Sequence, residues 1–327
     1  MKKIFVAVMA MAAFAACSNE EQIATPKGPA IAFGDAFVDN TTKAIYEVAN
    51  DIKGFTVWGN VKGKELSDIV ALYGTDGAAV TRGSKGIGEA WSCTETRYWT
   101  PSCEYNFVAI ANGSVAVIDG QEAVENGIPT KIAYSVNTTE PADLIYGAAT
   151  AETSDANVVT GSVVNSNVVA FTMKHLLSRV KLSFKNGDDT TDDAYTYTIT
   201  GVTVKTWEDG VYTISSETWA QSGSDVATIT YASNVGPIAE QATASVSDFL
   251  VIPSSTVSVA FTYDLKLNGT KIYGGTVEGT FGGIVNEVPV LEVGHAYNVV
   301  AELKQNNEIE FTVTGLDTFD EGGNLNM

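Results

Sequence analysis

From Val257 to Leu267 the side chains alternate without a break. Val257, Val259, Phe261, Tyr263, Leu265 and Leu267 point one way, and Ser258, Ala260, Thr262, Asp264 and Lys266 the other. A period of two puts every second residue on one face of a strand and cannot make a helical stripe. Asn268-Gly269 follows directly and leads into Lys271-Ile272-Tyr273, a type I′ hairpin signal. The same alternation predicts strands at Ile31–Val38, Phe55–Gly59, Tyr105–Ala111, Lys131–Val136, Tyr195–Lys205, Asp248–Ile252, Ala296–Leu303 and Ile309–Thr314. Helical spacing never lasts beyond one or two turns, and no repeat of solenoid length is present. For 327 residues this predicts an all-β chain of two tandem antiparallel β-sandwich domains.

The segment from Thr150 to Asn167 is small and polar and lacks large apolar anchors, which places the division there. Beyond it Val169, Phe171 and Met173 alternate, then Val180, Leu182 and Phe184 with shifted parity. A bulge or single helical turn near Lys174–Ser178 would reconcile the two registers. The expected divisions are therefore a leader at 1–16, an acidic tether at 17–28, a first sandwich at 29–158, and a second at 159–327 with a polar tail.

Met1-Lys2-Lys3 followed by the apolar run Ile4–Ala16 has the form of a secretory leader, too short to span a bilayer comfortably. Phe14-Ala15-Ala16-Cys17 resembles a bacterial lipobox, with Phe14 where an aliphatic residue is usual. The alternative is an ordinary leader cut after Ala-x-Ala. Ser18-Asn19-Glu20-Glu21 lacks the Asp that retains lipoproteins at the inner membrane, and is similar to an acidic surface-export signal. Lipidation of Cys17 would anchor the chain in the outer membrane, facing outward. Cys93 and Cys103 then remain as the one intramolecular pair, and an oxidising compartment predicts a disulfide between them.

Composition excludes several functions. Nineteen Lys and Arg against 39 Asp and Glu give a net charge of −20, which repels nucleic acid. Val80-Thr81-Arg82-Gly83-Ser84-Lys85-Gly86-Ile87-Gly88 resembles a dinucleotide loop, but Arg82 replaces the first glycine and no Tyr-x-x-x-Lys pair exists. It is a Gly-rich loop. Asp188, Asp189, Asp192 and Asp193 lack EF-hand spacing and suit a solvated turn. His175 and His295 have no Gly-x-Ser-x-Gly partner. Trp58, Trp91, Trp99, Trp207 and Trp219 could form a sugar platform, although core burial is the commoner fate. The expectation is a protein that is not an enzyme and uses no cofactor and no metal.

Several strings, taken in order, resemble the fimbrillin family, the Mfa-like lipoprotein subunits of type V pili. They are Ile31-Ala32-Phe33, Thr42-Lys43-Ala44, Phe55-Thr56-Val57-Trp58-Gly59, and Tyr98-Trp99-Thr100-Pro101 leading into Tyr105-Asn106-Phe107-Val108-Ala109. Asp143-Leu144-Ile145-Tyr146-Gly147-Ala148, Phe171 to Val180 with His175-Leu176-Leu177-Ser178 inside it, and Gly294-His295-Ala296-Tyr297 continue the series. The family often carries Trp after the last strand, where this chain has Leu316 and Phe319.

The resemblance implies transthyretin-like sandwiches and a structural, adhesive role, as a stalk, anchor or tip subunit of a fimbria. Subunits of this kind partner one another by strand exchange after proteolysis removes the first strand. Lys43 matches the family's cleavage step, with Arg82 as runner-up by exposure, and Ile309-Glu310-Phe311-Thr312-Val313 has the pattern of a donor strand. The alternative is a non-polymerising surface lipoprotein of similar fold that binds a host glycan or protein receptor.

Overall fold

The computed structural model describes residues 28–34, 37–38, 54–64, 68–82, 91–115, 124–139, 142–154, 159–160, 164–165, 168–190, 194–282, 284–285, 288–289, 291–306 and 308–316. Every named element among them is a strand. Thr256–Leu267 buries the apolar residues from Val257 to Leu265 and leaves the alternate ones more exposed. Asn268 and Gly269 both take positive φ, 49° and 83°, as a type I′ turn requires.

The N-terminal half is built on one curled sheet. Its strand order is Phe37–Val38, Thr172–His175, Ile145–Thr153, Cys103–Ala111, Gly54–Gly63, Ala78–Arg82 and Trp91–Cys93. One face closes over an aromatic core that contains Phe55, Trp99, Tyr105, Phe107 and Phe171. The other face carries Trp58, Val108 and Ile110 into a second apolar cluster. Phe107–Ala111 is consequently buried at every residue, since alternation disappears when both faces are covered.

The C-terminal half is a sandwich of two sheets. One runs from Thr243–Ser245 and Phe249–Val251 through Ser178–Asn186 and Ala296–Leu303 to Ile309–Leu316. The other runs from Val226–Thr230 and Val235–Ala239 through Tyr195–Trp207 and Thr256–Leu267 to Thr270–Gly282. Pairing is mostly antiparallel, but Ser178–Asn186 lies parallel to Ala296–Leu303.

The chain crosses between the halves at Leu176–Leu177, later than the expected boundary after residue 158. Val169, Phe171 and Met173, beyond the polar stretch, still anchor the N-terminal core. The parity change between Met173 and Val180 is thus a passage from one sheet to another, and no bulge within a strand is needed. A four-stranded sheet joins the halves, with Lys131–Ser135 of the first paired to Asp209–Thr213 of the second. Beneath it Trp58, Ile110, Ile132, Leu176, Tyr212 and Trp219 form a shared core.

The expected Cys93–Cys103 disulfide is not formed. Cys93 lies opposite Val80, which lies opposite Phe55 near the start of its strand, whereas Cys103 lies opposite Gly63 at that strand's far end. Two intervening strands, and most of the length of one of them, separate the thiols, far beyond the roughly 7 Å Cα limit for a bridge. Ten residues of sequence was a poor guide because the chain between them leaves the sheet edge and re-enters at its centre.

Candidate strand-exchange site

The N-terminal segment is seated between the bridge at Tyr98 and the Val168–Val169 strand, both remote from it in sequence. Ile31 N donates to Arg97 O at 2.8 Å, and Trp99 N to Pro29 O at 3.1 Å, on one side. On the other, Ala32–Phe33 runs parallel to Val168–Val169, and Gly34 N donates to Val169 O at 2.9 Å. Phe37–Val38 continues parallel to Thr172–Met173 and forms the outermost strand of the long sheet.

Alternation then sets the packing. Ala32 points out, while Ile31 and Phe33 are buried at 5% and 6% exposure. The Phe33 ring stands 6.3 Å from Phe55, 6.1 Å from Phe107 and 6.1 Å from Phe171. Burying two such side chains stabilises the seated state by about 1.5–3 kcal/mol each. Gly34 is required by close approach, since a Cβ there would lie 2.6 Å from Val168 Cγ1. A few backbone hydrogen bonds and two apolar side chains therefore hold the segment, and its removal would open a groove of matching shape.

The C-terminal strand Ile309–Leu316 is the mirror feature. Among the described residues it forms one edge of its sheet, paired only with Ala296–Leu303. Ile309, Phe311 and Val313 are half-buried while Glu310 and Thr312 are exposed. Phe311 lies over Gly279, where a Cβ would approach its ring to 2.3 Å, and 6.4 Å from Phe261. Its half-buried apolar residues thus alternate with exposed polar ones along a sheet edge.

Of the residues expected to matter, Cys17 and Lys43 lie outside the described residues. Arg82 is not the exposed cleavage site expected of it. It ends the Ala78–Arg82 strand at 9% exposure, opposite Trp91 in the neighbouring strand, with its guanidinium 4.6 Å from the Trp91 ring centre. The tryptophans form no platform, for Trp58, Trp99 and Trp219 are buried and Trp91 and Trp207 half-buried in the cores. Asp188 is no solvated turn residue either. It is buried and accepts from Tyr197 OH at 3.2 Å and Gln305 N at 2.8 Å, while Asp192 and Asp193 lie outside the described residues.

Sequence reading missed one feature, a fully buried pair at the crossing between the halves. Asp143 Oδ2 and His175 Nδ1 share a hydrogen bond with both side chains wholly shielded from water. Burial raises the Asp143 carboxyl above its ordinary range, a shift that the neighbouring His175 only partly offsets. Leu176 N donates to Leu144 O at 3.0 Å beside it, and Trp219 Nε1 donates to Leu176 O at 2.9 Å. The signal was present, since Asp143 and His175 stand in two of the strings that carry the family resemblance.

No curated protein sequence matches the chain. A fimbrial protein of Bacteroides vulgatus superposes with a TM-score of 0.54 at 15% identity, covering 86% of this chain and 98% of the other. A candidate cell adhesion protein of Bacteroides uniformis gives 0.48 at 14% identity, covering 90% and 99%. The first supports the sandwich fold. The family model described as fimbrillin-like matches residues 47–315, most of the length, and the chain belongs to that family.

Proposed function

We propose that this chain is a structural or anchor/tip subunit of a type V-like pilus, displayed at the cell surface and contributing to adhesion. Membership of the fimbrillin-like family supports the pilus-type or adhesive role. The solved relatives are described as fimbrial and as candidate cell adhesion proteins, which agrees with it. The observation that carries the reading is the N-terminal segment, in which Ile31 and Phe33 fill a core otherwise bounded by paired strands. Such a segment can leave without unravelling the sheet that receives it.

In this reading Cys17 carries lipid and holds the precursor in the outer membrane. Cleavage after Lys43 then releases the first strand, and an apolar strand from a neighbouring subunit takes its place. Backbone hydrogen bonds supply affinity and the vacated Ile31 and Phe33 sites supply register. Repeated head to tail, the step gives an open filament.

The test is electron microscopy of cells with and without the chain, paired with gels of unheated surface material. Fibres lost on deletion, together with detergent-resistant ladders, are expected. A single band and unchanged fibres would overturn the polymerising role.

A further inference from the structure

A cleft of about 400 Å³ opens on the C-terminal sandwich, lined by Tyr231, Ser233, Asn234, Ser245 and Ser247 among alanine, valine and glycine. Its origin is topological. The edge of one sheet changes strands where Tyr195–Trp207 passes from Val235–Ala239 at Ile199 to Val226–Thr230 at Thr203. The edge of the other changes where Ser178–Asn186 passes from Phe249–Val251 at Val180 to Thr243–Ser245 at Ser183. The two interruptions face each other, and the connecting loops leave a gap where continuous edge strands would have met.

Three observations define what fits. No lining residue is charged, in a chain of net charge −20, and Asp248 next to Ser247 is paired with Arg179 at 2.7 Å. Among the described residues no hydrogen bond occupies the side chains of Ser233, Asn234, Ser245 or Ser247, so hydroxyls and an amide stand ready. Tyr231 is fixed by donation from its OH to Ser247 O at 3.0 Å, giving one rigid aromatic wall. A strand-like peptide needs an unbroken row of backbone groups, which both interrupted edges lack.

We propose that this cleft binds a neutral carbohydrate, an inference that rests on the adhesive reading above. Unspent hydroxyl and amide groups around one aromatic wall suit sugar hydroxyls, and the volume falls in the small-ligand range of about 300–1,000 Å³.

Full-length mature protein should be titrated with an array of neutral oligosaccharides ending in glucose, galactose, mannose or fucose, with their sialylated counterparts, and with an uncharged Val/Thr peptide. Amide NMR shifts at Ser233, Asn234 and Ser245 with a neutral sugar are expected. Asn234→Ala should weaken that binding by at least about tenfold, and Ser245→Trp should abolish it, both with the remaining spectrum unchanged. No response to any neutral sugar, or equal binding of sialylated sugars or of the peptide, would overturn the proposal. Surface ladders in cells making Asn234→Ala separate the two readings, because polymerisation should persist whether or not the cleft binds sugar.

Discussion

Phe33→Ala measures how firmly the N-terminal segment is seated. The ring is 6% exposed and lies within 6.3 Å, centre to centre, of Phe55, Phe107 and Phe171. These three sit on the Gly54–Gly63 and Cys103–Ala111 strands and just before Thr172–His175, so hydrogen-bonded backbone limits their collapse into the space left behind. A buried Phe→Ala change with little relaxation costs about 3–5 kcal/mol, the upper part from the residual cavity. Phe311→Ala is the control. It is half-buried at a sheet edge and should cost roughly half as much. Urea unfolding gives both losses, and amide exchange locates them. In Phe33→Ala the Ile31 and Gly34 amides, bonded to Arg97 O and Val169 O, should exchange faster while those of Ala296–Leu303 do not change. A loss below about 1 kcal/mol would refute the claim that this side chain plugs the core.

Three further outcomes follow from other parts of the molecule. Burial raises Asp143 above its ordinary pKa, so the protonated acid favours folding; stability is full below the unfolded carboxylate range and falls as pH rises through the folded value, by up to about 1.4 kcal/mol per pH unit. Asp143→Asn should flatten that part of the pH–stability curve, and an unchanged slope would contradict the assignment. Unfolded, non-reduced protein should take up alkylating reagent at both Cys93 and Cys103, because the register keeps them apart; a cross-linked peptide pair in the digest would contradict it. Gly269→Ala should destabilise by about 1–2 kcal/mol in a thermal or urea melt, since φ is 83° with open space around it and only backbone strain is added.

The sequence showed its strands where one face is buried and the other wet. Val257–Leu267 and Ala296–Leu303 were legible to within a residue for that reason. The strand predicted at Tyr105–Ala111 starts two residues earlier, at Cys103, and its alternation fails over Phe107–Ala111 because two cores enclose it. Long-range meetings left no periodic trace. Nothing in Lys131–Ser135 foretold its pairing with Asp209–Thr213, and Asp143 and His175 are joined by topology alone. Arg82 was misjudged because it borders the Gly-rich stretch, whose composition suggested exposure, whereas its side chain is 9% exposed beside Trp91. Cys93 and Cys103 were misjudged because closeness in sequence hid their separation across the sheet.

In the proposed assembly the segment ahead of Ala44 is exchanged for a neighbour's strand. N-terminal sequencing of the chain recovered from detergent-resistant surface polymers tests it directly. Exchange predicts a start at Ala44, with Ile31 and Phe33 absent from the polymer and their sites filled by another subunit. Polymers in which every copy still begins at lipidated Cys17 would contradict exchange at this site.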